Sequence, residues 1–413
     1  MKVGRHDTSR RSHANDTSET NRSSEPYVAD RFGLVADVFD RVISEASPGG
    51  GAGLAVCVEG QVAIDLWGGN AGHDRRRSAD TLDFLWSGTK GLVALCMLML
   101  VGSGELALAC PVSYYRPEFG CCGKAEITVD EVLSHQARLP GLRSNVHQLN
   151  VLDARRMAAL LAAQPPEADP RAVAAYHPLT YGWICDELMQ RVTGETTGGF
   201  LASKIARPLT LDIWLGLPPE HEHRVATLLY GRDWALDWPE IRSGSDPLFE
   251  QVYVNPPMFP KEIPWNHADH HAAEVPGVGG IADARSMARL YGALAIGGAS
   301  GATRIIDEET LASGQDERSR FHDALTSTER RFGAGFELQT AERRLGPPPD
   351  AYGHTGAGGT VSAAWPSLRT GVSFLSNEML LERNEPSRAA RLLDAVHRCL
   401  VDHQQHGAFG GSL

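Results

Sequence analysis

One apolar run sets the first limit on this chain. From Leu92 to Val101 all ten residues are apolar. As a helix they rise only about 15 Å, half of a bilayer core of about 30 Å. So apolar a segment, too short to span, reads as a buried helix, and 413 residues are enough to build a core around it. Gly102 and Gly104 mark its end. It opens at Trp86-Ser-Gly-Thr-Lys90. Ser87 and Lys90 are three apart, so a helical path puts both side chains on one face. A serine hydroxyl is a weak nucleophile until a base takes its proton. A lysine amine is such a base where desolvation or a nearby cation keeps it neutral. A helix N-terminus adds partial positive charge and free backbone N–H groups. Alone, the Ser-x-x-Lys spacing also fits a capping serine beside an exposed lysine.

The rest of the chain alternates between helical and strand patterns. Phe32, Val35, Phe39, Val42 and Ile43 recur at helical spacing between Ala29 and Glu45. After a Gly-rich break, Leu54 to Trp67 reads as a β-hairpin turning at Glu59-Gly60. Helical patterns follow at Met157–Ala163, Tyr181–Val192 and Ala284–Leu294, with a Pro- and His-rich stretch at about 235–275 that reads as loop. Strand signals return at Phe332–Leu338, Thr360–Ala364 and Gly371–Leu375. A last helix carries Ala389, Leu392, Leu393, Val396 and Leu400 on one face. The order predicts an α/β fold: an antiparallel sheet flanked by helices, built from both chain ends, with a helical region inserted. The expected division is a disordered tail at 1–27, a domain at 28–405 and a flexible tail at 406–413. Within the domain, the sheet parts are about 28–120 and 300–405, and the helical insertion is about 121–299.

Two further segments join Ser87 and Lys90: Tyr176-His-Pro-Leu-Thr-Tyr181 and Gly353-His-Thr-Gly-Ala-Gly-Gly-Thr360. In this order the three resemble the serine β-lactamase and penicillin-binding-protein superfamily, marked by Ser-x-x-Lys, Tyr-x-Asn and Lys-Thr-Gly. The likeness is strongest to its esterase-like branch, the family VIII carboxylesterases, and spans about residues 28–402. Pro111-Val, Leu133-Ser-His, Arg191-Val-Thr-Gly, Pro208-Leu and Ala288-Arg-Leu-Tyr also look like that branch.

The resemblance implies a β-lactamase/transpeptidase-like fold and a role for each position. Ser87 would be acylated, Lys90 would be its base, and Tyr176 would relay a proton to the leaving group. The N–H groups of Ser87 and Ala357 would form the oxyanion hole, and His354, Gly356 and Gly358 would line the substrate. No cofactor and no metal are implied. Two departures stand out: Pro178 replaces the amide-binding Asn, and His354 replaces the Lys that anchors a carboxylate. Both favour neutral esters over β-lactams. In addition, Asp169-Pro-Arg-Ala-Val-Ala precedes Tyr176 where the family has a Pro-Gly turn. The expected activity is ester hydrolysis through an acyl-enzyme on a small-molecule ester or acyl substrate. The alternatives are acyl transfer to an alcohol or amine, a β-lactamase or D-alanyl peptidase, and a non-catalytic ligand sensor.

Other features carry less. His267, Asp269, His270 and His271 read as a loop rather than a metal cluster, and Glu220-His-Glu-His-Arg224 as a charged helix start. Ser134-His135 reads as a structural turn, since adjacent side chains do not face each other on a helix. Gly277-Val-Gly-Gly280 lacks the strand and acid of a dinucleotide site. No Gly-x-Ser-x-Gly elbow occurs, which excludes the α/β-hydrolase signature. A net charge of −12 excludes general nucleic-acid or anionic-membrane binding. Seven cysteines without C-x-x-C spacing suggest reduced thiols and a cytoplasmic location, and vicinal Cys121-Cys122 lacks zinc partners. Arg10-Arg11 resembles a twin-arginine signal, but no apolar stretch follows it. Nothing in the residues indicates an oligomeric state.

Overall fold

The computed structural model describes residues 25–231, 234, 246–381 and 386–408. Nearly all of the expected N-terminal tail, most of the C-terminal one and the first part of the 235–275 stretch lie outside those residues. Nine strands form one antiparallel sheet. In chain order they are β1 (Tyr27–Val28), β2 (Gly51–Val58), β3 (Gln61–Gly69), β4 (Ser319–His322), β5 (Glu329–Phe332), β6 (Glu337–Leu338), β7 (Tyr352–Thr355), β8 (Val361–Trp365) and β9 (Thr370–Ser376). Across the sheet they run β1-β3-β2-β9-β8-β7-β6-β5-β4. Both chain ends supply strands, and they meet where β9 pairs with β2, Phe374 opposite Leu54. The hairpin turns at Glu59 and Gly60, whose φ of 50° and 79° suit a tight turn matched to strand twist.

The strands are apolar on both faces because both faces are covered. On β2, Leu54 and Val56 face one cluster while Ala55 and Cys57 face another, as a period of two requires. The first cluster takes Val372 and Phe374 of β9. It is capped by α1 (Gly33–Ser44), through Val35, Phe39 and Val42, and by the C-terminal helix (Arg388–Ala408), through Leu392, Leu393 and Val396.

The other face carries α5 (Ala284–Ala295) and, beyond it, the helical region. That region holds α2 (Thr89–Gly102), α3 (Ala154–Ala163) and α4 (Thr180–Thr193). From Leu92 to Leu98, α2 is at most 2% exposed, as its uniformly apolar sequence requires. Each leucine buried there contributes about 1.5–3 kcal/mol. Where α5 crosses the sheet, glycine is required: a Cβ on Gly371 would lie 2.0 Å from the Gly292 nitrogen. Gly371→Ala is expected to destabilise the fold by about 1–3 kcal/mol through overpacking. Urea unfolding measures it, and a loss under about 0.5 kcal/mol would mean that the crossing yields freely.

Two expectations are corrected. Phe332–Leu338 is not one strand: β5 and β6 are joined by a tight turn in which Gly335 has φ 95°, and Phe332 pairs with Glu337. The described part of 235–275 is not loop throughout, because Pro247–Tyr253 and Ala268–Ala272 are helical. The first has a proline at its start and Asp246 capping Leu248 and Phe249, so its first turn has its donors partly satisfied. Among the described residues no helix is long and apolar enough to cross a membrane.

Candidate active site

Ser87 sits in a 3₁₀ turn, Trp86–Gly88, that runs directly into α2. The turn is held from three directions. Leu85 N–H donates to the Gly280 carbonyl (2.8 Å), Thr89 Oγ1 donates to the Trp86 carbonyl (2.6 Å), and Gly280 N–H donates to Thr89 Oγ1 (2.8 Å). Trp86 adopts φ 52°, a left-handed conformation costing about 1–2 kcal/mol for a bulky residue. Its ring compensates by packing on Phe84 (5.0 Å), Phe259 (5.1 Å) and Trp265 (5.7 Å). The result is a half-buried Ser87 flanked by buried residues on both sides.

One turn on, Lys90 is fully buried. Its Nζ lies 2.7 Å from the Pro178 carbonyl, 2.7 Å from the Gly277 carbonyl and 3.2 Å from Ser87 Oγ. Carbonyl oxygens only accept, so they take two N–H groups. A neutral amine then has its lone pair left for the Ser87 hydroxyl proton. Burial pushes the Lys90 pKa well below the usual lysine range, and the positive charge of Arg330 pushes it further. The Gly277 carbonyl reaches Lys90 because α4 comes close: a Cβ on Gly182 would lie 2.1 Å from the Gly277 nitrogen.

Tyr176 follows a 3₁₀ turn, Pro170–Ala174, opened by Asp169, and its N–H donates to Asp323 Oδ2 (2.8 Å). Its side chain is 4% exposed, and its hydroxyl lies beside Ser87 without an aligned hydrogen-bond partner. Burial raises its pKa, against the pull of Arg330 and Ser87. Around the ring stand Lys90 Nζ (5.0 Å from the centroid), the Arg330 guanidinium (4.6 Å), His135 (4.5 Å) and Phe332 (5.9 Å).

His354 on β7 is 1% exposed. Its Nδ1 lies 2.7 Å from the Thr355 carbonyl and so carries the proton, leaving Nε2 as an unpartnered acceptor. Burial lowers its pKa to about 4, so near neutral pH it is an acceptor and not a cation. Gly356 fits against the Ser87 turn, since a Cβ there would lie 2.4 Å from the Leu85 carbonyl. This contact brings the half-buried Ala357 next to that turn. Gly358 is buried with φ 80° against Met379, and its carbonyl accepts from Arg388 (3.2 Å).

Several groups at this site went unrecognised in the sequence. Glu337 is 3% exposed and accepts from Thr355 N–H (2.8 Å) and Thr355 Oγ1 (2.7 Å). It also pairs with Arg330 (3.2 Å) and Arg344 (3.5 Å). Burial alone would raise its pKa, but Arg344, His354, Arg330 and the Thr355 N–H together lower it to about 2. Ser134-His135 is a turn, with His135 at φ 64°, but its buried ring packs on Tyr176, and its Nδ1 accepts the His177 N–H (3.2 Å). The Gly277 loop, weighed only as a dinucleotide motif, holds Lys90. Of the histidines at 267–271, His271 has its ring between Glu222 (3.0 Å) and the Trp265 carbonyl (2.7 Å).

A family model described as Beta-lactamase matches residues 39–397. The chain is 34% identical over 358 residues to Esterase/beta-lactamase LipL of Mycobacterium tuberculosis, covering 83% of this chain and 80% of that protein. A solved family VIII carboxylesterase superposes with a TM-score of 0.81 at 34% identity, over 90% of this chain and 98% of its own. A penicillin-binding-protein homologue from Caulobacter crescentus gives 0.80 at 34% identity over the same shares.

Proposed function

The chain belongs to the beta-lactamase family, and on that premise we propose that it is a serine hydrolase cleaving carboxylic esters through an acyl-enzyme on Ser87. One observation carries the reading: a buried amine, both N–H groups engaged by carbonyls, stands 3.2 Å from the Ser87 hydroxyl. Ser87 Oγ attacks the ester carbonyl carbon as its proton passes to Lys90 Nζ. The negative charge on the former carbonyl oxygen is held by the N–H groups of Ser87 and Ala357, each donor supplying about 3–4 kcal/mol. Collapse breaks the bond to the alcohol oxygen, which receives a proton through the Tyr176 hydroxyl. A water, deprotonated by the same pair, then releases the acid and restores Ser87. No step needs a cofactor. Seven free cysteines suit a reducing compartment, and the cytoplasm is the location this reading carries.

The rival substrate is a β-lactam, favoured by the printed name of the Mycobacterium relative. Pro178 offers only a backbone carbonyl, already held by Lys90, and no amide to a lactam side chain. Neutral His354 presents an acceptor where a lactam carboxylate needs a cation, and a lost charge-assisted hydrogen bond is worth about 1.5–3 kcal/mol. Arg330 and Arg344 are both engaged by Glu337. Wild-type enzyme is therefore expected to turn over p-nitrophenyl butyrate with a kcat/KM at least about tenfold above that for nitrocefin. A preference for nitrocefin would overturn the ester reading and give the arginine pair a lactam carboxylate to hold.

A further inference from the structure

Two positions that the family motifs reserve for polar or charged groups are filled here by a proline and a neutral imidazole, yet the site is not short of positive charge. Arg330 and Phe332 are two apart on β5, so they share a face, and both reach the Tyr176 ring. The Arg330 side chain is 12% exposed. Its guanidinium sits 4.6 Å from the centre of the Tyr176 ring, and Lys90 Nζ sits 5.0 Å from the same point. The guanidinium and the Lys90 amine are therefore within about 10 Å of each other across a buried ring, close enough for the one to bear strongly on protonation of the other in a poorly screened interior.

We propose that Arg330 is the fixed cation of this active site: it opposes protonation of Lys90 and so sets the pH above which Ser87 can be activated. The proposal rests on the ester-hydrolase reading above. Arg330 acts through Lys90 and is a positioning residue, placed by its ion pair with Glu337.

The groups facing Lys90 leave few other sources of charge. They are Tyr176, Tyr181 (6.0 Å from Nζ to its ring), Cys185, His135, His177, His354, Arg330 and Glu337. Burial raises the pKa of Tyr176, Tyr181 and Cys185 and lowers that of His135, His177 and His354, so all six are neutral near pH 7. Arg330 is itself faced by Glu337, Tyr176, Asp323 and Tyr253, with Arg344 beyond Glu337. Arg330 and Arg344 share the Glu337 carboxylate, while the Asp323 carboxylate accepts the Tyr176, Leu325 and Thr326 N–H groups, so Arg330 is the guanidinium that stands at the Tyr176 ring beside the Lys90–Ser87 pair. Removing Arg330 makes a protonated Lys90 easier to hold, and removing the Glu337 charge makes it harder.

The experiment measures kcat/KM against pH for p-nitrophenyl butyrate, and in parallel the rate at which a fluorophosphonate labels Ser87. Arg330→Gln is expected to move the acidic limb of both profiles to higher pH, by about half to one unit. Glu337→Gln, which keeps shape and an acceptor oxygen for Thr355, is expected to move it to lower pH. Arg330→Lys is expected to keep it near wild type. Circular dichroism and melting temperature check that each variant is folded. Opposite shifts separate charge from damage, because a structural lesion lowers the rate without moving the limb both ways. The proposal is overturned if folded Arg330→Gln keeps the wild-type limb. It is equally overturned if that variant only raises KM for a p-nitrophenyl ester bearing a free carboxylate, since Arg330 is then a substrate anchor. Labelling reads the base even where no ester is turned over, so a failed ester reading and a failed inference are told apart. No labelling of the wild type at any pH overturns both.

Discussion

Ser87→Ala is expected to lower kcat for p-nitrophenyl esters by about 10⁴–10⁶, the usual loss when a nucleophile working as a unit with its base is removed. The structure sharpens the expectation. Ser87 is the half-buried residue in a run of buried ones, and its hydroxyl lies 3.2 Å from Lys90 Nζ. Alanine removes one oxygen and leaves untouched the hydrogen bonds that hold the turn, those of the Leu85 N–H, the Thr89 hydroxyl and the Gly280 N–H. The variant should therefore melt within a few degrees of wild type and still bind ester. It should also escape labelling by a fluorophosphonate that adds covalently to the wild type. Retention of more than a few per cent of activity would move the nucleophile elsewhere.

What the sequence made legible follows from the range over which each signal acts. The α2 helix, the hairpin and the C-terminal helix rest on local periodicity, and the structure places them close to where that pattern does. Ser87 and Lys90 were legible because one turn of one helix brings them together. Tyr176 was legible only through the family motif, since its meeting with Ser87 depends on tertiary packing. Arg330 and Glu337 escaped notice for a different reason. The strand Glu329-Arg-Arg-Phe332 is short and mostly charged, which reads as a solvated edge. Only the pairing of Phe332 with Glu337 across the tight turn, and of Glu337 with Gly353, turns that charge inward. The alternation Arg330, Phe332 was the one available signal, and it gains meaning once a buried partner for the arginine is known. Ser134-His135 shows the converse: the turn was legible, but not the aromatic ring it supports.

Lys90→Met is expected to lower kcat by about 10²–10⁴, and Tyr176→Phe by at least about 10², with KM changed far less in both. In the proposed mechanism each side chain handles a proton in the transition state rather than holding the ground-state ester, so its loss is expected to fall on rate. The controls differ between the two. Tyr176→Phe removes a hydroxyl that has no aligned partner, while the ring keeps Arg330 at 4.6 Å and His135 at 4.5 Å, so the fold should be unaffected. Lys90→Met strips the Pro178 and Gly277 carbonyls of their donor, and each buried acceptor left alone costs about 1–3 kcal/mol. Its melting temperature should drop, and activity must be read where the variant is still folded. The decisive comparison is between acylation and deacylation. A single-turnover burst followed by slow release in Tyr176→Phe would place the tyrosine in activation of the water. Loss of the burst itself would place it in delivery of the proton to the departing alcohol. A near wild-type rate in both phases would remove Tyr176 from the proton path and leave the buried Tyr181 hydroxyl, also without an aligned partner, as the next group to test.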